Sequence, residues 1–360
     1  MKRRNLLRAG LVGSVAAAVS TPSVVRAQDK VRWRMTNAYG PGAPFYSAGP
    51  GSPADFAQRV SDMSGGRMEI QHFAAGELIP ALEGFDAVRS GTIQMNAANS
   101  YFWAGRSFAA QYFTTVPFGL NFAGQNAWLY HGGGIDLWNE LYKDFGMIAM
   151  PLNNTGIQMT GWYRDPITSV EDYKGLKMRI PGLAGRVYAE LGVNVKLLPG
   201  GEIFPALERG VIDAAEFVGP YQDRRMGLHN AASHYYTTGW HEPQNTGELL
   251  INAKAWEGLP DDLKAIVRAA AQATTLESYS WSEAVNAEAL EDLVTNEGVQ
   301  QHVLPDDIVS RMREITFDVL EEKAAADPTV KKVHDAFFDF KKKWEGWAGI
   351  SEGNYYRNIL

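Results

Sequence analysis

One eight-residue segment occurs twice in this chain. Gly76-Glu77-Leu78-Ile79-Pro80-Ala81-Leu82-Glu83 returns as Gly201-Glu202-Ile203-Phe204-Pro205-Ala206-Leu207-Glu208, and six of the eight positions are identical. Each copy is expected to follow a strand and open a helix. The exits are also alike, Arg89-Ser90-Gly91-Thr92-Ile93 beside Glu208-Arg209-Gly210-Val211-Ile212, with glycine suited to a left-handed helix stop. Two copies of one α/β unit imply two similar lobes rather than a solenoid, which stacks at least about three repeats. Ligands of open α/β sheets sit beyond the carboxyl ends of the strands, so two such lobes facing one another enclose a cleft. Hinge closure is the natural motion of such a cleft.

The patterning around the repeat fits that plan. Alternation predicts strands over 31–37, 68–73 and 93–98, with helices over 53–63 and 80–89 between them. This rhythm calls for parallel pairing, because parallel strands need a crossover. It resumes after residue 150, with strands over 175–180, 193–198 and 212–218 and a helical turn over 205–209. The last third is helical: a long Ala-rich helix from Asp261 to about Glu283, one from Pro305 to about Ala326, and one after Pro328. The last carries Val330, Val333, Phe337, Phe338 and Trp344 at amphipathic spacing. It either packs on the lobes of its own chain or is exchanged with a second subunit. The expected division is a leader (1–27), a first α/β lobe (28–150, completed by part of 240–290), a second lobe (151–240) and a helical segment (260–360).

The leader is basic, with Lys2, Arg3, Arg4, Arg8 and Arg26 and no acid, and its apolar run Leu11 to Val19 ends before Val25-Arg26-Ala27. That is the layout of a cleaved export signal, with Gln28 as the expected first mature residue. Arg3-Arg4-Asn5-Leu6-Leu7-Arg8 also fits a twin-arginine signal, which exports folded protein; the other reading is an ordinary signal with two arginines. Beyond the leader 29 basic side chains face 41 acidic ones, a net charge of about −12. No basic run remains there, which disfavours nucleic acid and anionic membrane surfaces as partners. The chain has no cysteine, so disulfides, thiolate metal sites and thiol nucleophiles are excluded. No later stretch approaches the ~20 apolar residues of a membrane span.

Catalytic signatures are missing: there is no Gly-x-Ser-x-Gly elbow, no His-Glu-x-x-His, no phosphate loop and no dinucleotide glycine fingerprint. Gly132-Gly133-Gly134 reads as a turn. The seven histidines are scattered without zinc-ligand spacing. The informative residues lie between Asn153 and Glu242. Arg179 ends a strand in Leu176-Lys177-Met178-Arg179-Ile180-Pro181-Gly182. Its guanidinium is a permanent, rigid fork matched to a carboxylate; the alternative is a surface arginine paired with a local acid. Glu216, in Ile212-Asp213-Ala214-Ala215-Glu216-Phe217-Val218, is costly in an Ala-rich strand unless a cation pairs with it. That cation is either Arg179 or a hard metal ion. Gln158, in Asn154-Thr155-Gly156-Ile157-Gln158, offers a neutral amide oxygen, and carboxylate, amide and main-chain oxygens are the donors hard cations prefer. Tyr101 follows a strand of the first lobe, and Glu242 is a second acid where the chain crosses between lobes.

Taken together, these segments resemble the extracytoplasmic receptors of TRAP (tripartite ATP-independent periplasmic) transporters, nearest to those for 2-oxo acids or lactate. The resemblance spans the mature chain and rests on Ala75-Gly76-Glu77-Leu78, His131-Gly132-Gly133-Gly134-Ile135-Asp136-Leu137, Asn154-Thr155-Gly156 with Gln158, Gly175-Leu176-Lys177-Met178-Arg179, and Ile212-Asp213-Ala214-Ala215-Glu216 with Gly219-Pro220-Tyr221. It implies a two-lobed α/β fold of the periplasmic-binding-protein kind, with a ligand cleft between the lobes, a long connecting helix and a helical C-terminus. It also implies a soluble, non-enzymatic periplasmic receptor that delivers a small monocarboxylate to membrane subunits. Arg179 would clamp the carboxylate, with Gln158, Tyr101, Asn154 and Glu242 at further ligand-facing positions. A cation, with sodium favoured over calcium, would be held by Gln158, Glu216 and the main-chain oxygen of Phe217. The similar receptors usually carry tryptophan where this chain has Phe217, which leaves the ligand's identity open. A homodimer formed by exchange of a C-terminal helix is implied as well. The rival readings are the same fold tuned to another carboxylate, such as a sugar acid, and an exported enzyme acting on a small acid.

Overall fold

The strands of this chain form two mixed sheets. In the computed structural model, which describes residues 30–43, 46–237 and 239–359, they are β1 (Val31–Asn37), β2 (Met68–Phe73), β3 (Met95–Ala98), β4 (Met147–Asn154), β5 (Gly161–Tyr163), β6 (Lys177–Arg179), β7 (Asn194–Lys196), β8 (Ala214–Ala215), β9 (His234–Thr237), β10 (Thr246–Asn252) and β11 (Gln300–Val303). The expected leader and its twin-arginine pattern lie outside the described residues. The first sheet has the order β2-β1-β3-β10-β4 and the second β11-β9-β5-β8-β6-β7.

Parallel pairing holds where helices intervene, in β1 with β2 and β3 and in β6 with β7 and β8. The helix Pro53–Met63 links β1 to β2, with Ser52 accepting the Asp55 N–H as its N-cap and Pro53 in its first turn. The chain crosses between sheets three times, from β4 to β5, from β9 back to β10, and from β10 to β11. Returning β10 pairs antiparallel with both β3 and β4. Part of 240–290 is expected in the first lobe, but a rhythm of strand and helix does not reveal the antiparallel sense of this strand.

The repeat is less symmetric in space than in sequence. The second copy lies in a helix, Gly200–Glu208, longer than the expected 205–209. The first copy forms a turn, and its helix begins only at Gly84 and runs to Arg89, not from Pro80. Gly76 takes φ +83°, and the Glu77 carboxylate accepts the Ala74 N–H at 2.7 Å, so the chain reverses before it can coil. Both exits do use left-handed glycines, Gly91 and Gly210. The strands that follow are shorter than 93–98 and 212–218: β3 is confined to Met95–Ala98 and β8 to Ala214–Ala215.

The connecting helix, Asp261–Thr295, has 35 residues and runs well past Glu283. Val267, Ala270 and Ala271 pack into the core of the first sheet, and Leu293 joins the cluster that contains Phe217 and Tyr235. Its middle fastens the strand crossing: Ser278 Oγ accepts the Asn154 N–H at 2.8 Å, and Ser282 Oγ donates to Thr155 O at 2.7 Å. Gly51 (φ +67°) passes so close that a Cβ there would lie 2.4 Å from Ser278 Cα. The helices Asp306–Ala326, Pro328–Ile350 and Glu352–Asn358 complete the chain. No helix of the described residues is long and apolar enough to cross a membrane.

Candidate functional site

Arg179 and Ala215 are register partners on parallel β6 and β8, so Arg179 and Glu216 leave the sheet at neighbouring carboxyl tips. Met178 and Ile180 turn into the hydrophobic core of the second lobe, and the pleat sends Arg179 to the opposite face. It does not reach open solvent there: Arg179 is 2% exposed and Glu216 1%. Arg179 Nη1 donates to Glu216 Oε2 at 3.1 Å and also to the Glu216 main-chain oxygen, while Nε donates to Leu198 O at 3.3 Å. The Phe217 ring stands 6.0 Å from the guanidinium carbon.

The pair is only half satisfied. Glu216 Oε1 is buried without a hydrogen-bond partner, and His241 Nε2 lies 3.6 Å from it. Burial pushes the Glu216 carboxyl up to about 8; Arg179 pulls it down and Asp223 adds to the rise. Burial also pushes Glu242 up to about 8, reinforced by the Glu216 charge, and pushes His241 down to about 4. Gln158 arrives from the crossing after β4. Its backbone N–H donates to Glu242 O, and the adjacent Met159 N–H donates to Val218 O, both at 3.1 Å, so it lies beside the chain following Glu216. Gln158 Nε2 is held by Thr155 Oγ1 at 3.1 Å, and Oε1 is left buried and unpartnered.

Two orphaned oxygens, one of a carboxyl and one of an amide, on adjoining segments suit a hard cation. The described residues contain no group of three His, Cys, Asp or Glu able to hold a metal. A cation here therefore needs amide and main-chain oxygens as well, such as Phe217 O. The donor set fits.

The first lobe closes over this corner. A Cβ on Gly182, at the head of the helix Gly182–Glu190, would stand 3.3 Å from the Tyr101 ring. Asn245 Nδ2 donates to Tyr101 OH at 3.3 Å and to Glu242 Oε2 at 2.7 Å. Asn154 is placed differently: its amide spends its contacts on Gln244, Thr246 and the Gly156 N–H inside the crossing. The residues absent from the sequence reading are Tyr39, Tyr46, Asn99, Asn245 and His241. Tyr39 stacks on Tyr46 at 3.8 Å and donates to Asn99 Oδ1, and Tyr46 lies 6.3 Å from Phe217. Tyr39 and Asn99 follow β1 and β3 directly, so the strand-end rule could have found them. A small cavity of about 200 Å³ between Tyr39, Gly200 and Phe217 borders the corner. A larger groove of about 960 Å³, beside β4 and lined by Asn139, Trp256 and Arg268, lacks such converging groups.

A model of the family described as bacterial extracellular solute-binding protein, family 7, matches residues 50–327. The chain is 42% identical over 367 residues to the monocarboxylate 2-oxoacid-binding periplasmic protein of Nostoc sp. (strain PCC 7120), spanning 99% of this chain and 98% of that protein. A TRAP periplasmic solute-binding protein from Colwellia psychrerythraea, solved with calcium and pyruvate, matches with a TM-score of 0.87 and 40% identity over 92% of this chain and all (100%) of that one. Its counterpart from Pseudoalteromonas atlantica, solved with sodium and pyruvate, gives a TM-score of 0.88 and 38% identity over 92% and 100%. With the α/β architecture, these matches show that the chain belongs to family 7 of the bacterial extracellular solute-binding proteins and is a TRAP-type solute receptor.

Proposed function

We propose that this receptor captures a small 2-oxo or 2-hydroxy monocarboxylate, pyruvate being the leading candidate, together with one bound cation. The observation that carries this reading is the half-satisfied pair: a buried guanidinium beside a buried carboxylate whose free oxygen, like Gln158 Oε1, faces no donor. Arg179 neutralises the ligand carboxylate. Gln158, Glu216 and Phe217 O hold the cation, which supplies positive charge to the ligand's carboxylate and adjacent oxygen. Tyr101 and Glu242 line the ligand's other side, and Asn154 shapes the crossing beneath it. Sodium remains our preferred cation over calcium; the similar structures contain one or the other.

The ligand leaves chemically unchanged, passed in the periplasm to TRAP membrane subunits after export by a cleaved signal peptide. The exposed Trp347, Ile350, Tyr355, Tyr356 and Ile359 at the C-terminal end suit a homodimer in which the last helices cross between subunits. Native mass spectrometry of freshly purified protein, followed by a thermal-shift panel of carboxylates with sodium or calcium, tests the reading. Stabilisation by pyruvate that grows logarithmically with its concentration is expected. A response to sugar acids but not to pyruvate would overturn it, as would turnover of pyruvate on incubation.

A further inference from the structure

Far from the cleft, two histidines meet at the rim of the second sheet. β11 is its edge strand, four strands from β6 in the order of the sheet. The register sets Gln300 against His234 and His302 against Tyr236, so His234 and His302 are diagonal neighbours on one face. His234 Nδ1 lies 2.9 Å from His302 Nε2, with the rings 5.1 Å apart and inclined by 31°. Tyr236 stacks on the His302 imidazole at 4.7 Å and limits its rotation. Both histidines are half-buried.

Neither the family's cleft nor its hard cation uses these groups. Paired neutral imidazoles are donors for borderline transition metals, not for sodium or calcium. Metal–nitrogen bonds of about 2.0 Å put two nitrogens on one ion roughly 2.8 to 3.3 Å apart. The observed 2.9 Å, a hydrogen-bond separation, already falls in that range, and the affinity order of divalent ions puts copper(II) first.

We propose that His234 and His302 form a two-imidazole clamp for one tetragonal divalent transition-metal ion, copper(II) ahead of nickel(II) and zinc(II). The ring that carries the hydrogen between them changes tautomer, that proton passing through solvent to the ring's far nitrogen, and both rings turn to aim their lone pairs at one ion. No third His, Cys, Asp or Glu of the described residues joins them, so water fills the remaining positions and the site is open to exchange.

The test uses tag-free mature protein stripped with chelator and titrated with copper(II) chloride. One equivalent per chain is expected, with a tetragonal electron paramagnetic resonance signal split by two nitrogens. His302→Gln and His234→Gln should each weaken binding at least about tenfold while pyruvate titrations stay at the wild-type value. In the wild-type protein, substoichiometric copper should broaden the proton resonances of two of the seven histidines first, so the idea stays testable if a variant fails to fold. Non-saturable copper uptake, unchanged affinity in the double variant, or first broadening at other histidines would overturn it.

Discussion

Arg179 Nη1 stands 3.1 Å from Glu216 Oε2 across two parallel strand tips, and the second carboxylate oxygen of Glu216 has no hydrogen-bond partner. A closed structural bridge would spend both oxygens. This one holds a charge in place and leaves an acceptor facing inward, which is the arrangement a coordinating acid needs.

Removing the guanidinium should therefore cost twice. Arg179→Ala leaves Glu216 buried without its cation, with an expected stability loss of about 3 kcal/mol. It also leaves the ligand carboxylate unpaired, so pyruvate affinity should fall at least about a hundredfold. Arg179→Lys keeps the charge but not the fork, and should recover stability better than affinity. Calorimetry and chemical denaturation on both variants check this; wild-type affinity in Arg179→Ala would remove the clamp.

The cation is assigned to oxygens, not to the guanidinium. Glu216→Gln and Gln158→Leu should thus abolish stabilisation by calcium or sodium, measured as a thermal shift without pyruvate. The first variant removes the negative charge and the second the amide oxygen on which a hard cation depends. Retained cation shifts in both variants would place the ion elsewhere.

Buried acids also predict the pH response of the ligand-free protein. Burial pushes Glu248 up to about 7 and Asp223 up to about 6, whereas unfolded carboxyls titrate near ~4. A folded-state pKa above the unfolded one means the folded chain keeps protons that the unfolded chain has released. Stability contributed this way is full at low pH and fades as pH rises through the folded pKa. His241, pushed down to about 4, acts oppositely, but only below the unfolded histidine pKa of ~6.5. Glu216 and Glu242, both pushed up to about 8, act in the same sense as Glu248, so between about pH 6.5 and 8.5 the acids dominate and acidification across that window should raise Tm by about 3 °C or more. Glu248→Gln should reduce the rise, mainly in the lower half of the window. Scanning calorimetry in chelator decides, and a Tm that falls on acidification in this window contradicts the assignment.

Phe217 walls the small cavity that borders the site, within 3.2 Å of where a Cβ on Gly200 would stand. Phe217→Trp adds bulk there. Pyruvate should be held within about threefold of wild type, while longer 2-oxo acids should lose about tenfold or more through overpacking. Competition titrations against pyruvate measure this ratio, and an unchanged ratio would show that the ligand tail points elsewhere.

Much of this arrangement was legible in the sequence. β1, β2 and the helix Pro53–Met63 match their predicted spans because alternation, a capping serine and a first-turn proline all act locally. Arg179 and Glu216 could be placed because each sits at a strand tip, where the pleat and the crossover rule fix direction. Part of 240–290 is expected from sequence to complete the first lobe, but the antiparallel sense of β10 was hidden, since it depends on contacts with β3 and β4 roughly a hundred or more residues away in sequence. The first repeat copy misled because one left-handed glycine, Gly76, turns a helix start into a reversal. Tyr39 and Asn99 escaped because a tyrosine after a strand usually reads as core, and only the pairing of β1 with β3 brings Tyr39 onto Asn99.

The central claim is that anion and cation are held at one place. Isothermal titration of pyruvate into ligand-free, chelator-treated protein, with and without saturating calcium or sodium, tests it directly. Linkage requires that each partner raise the other's affinity by one shared factor; the account predicts a factor of at least about ten for the native cation. Pyruvate affinity identical in the presence and absence of both cations would contradict it.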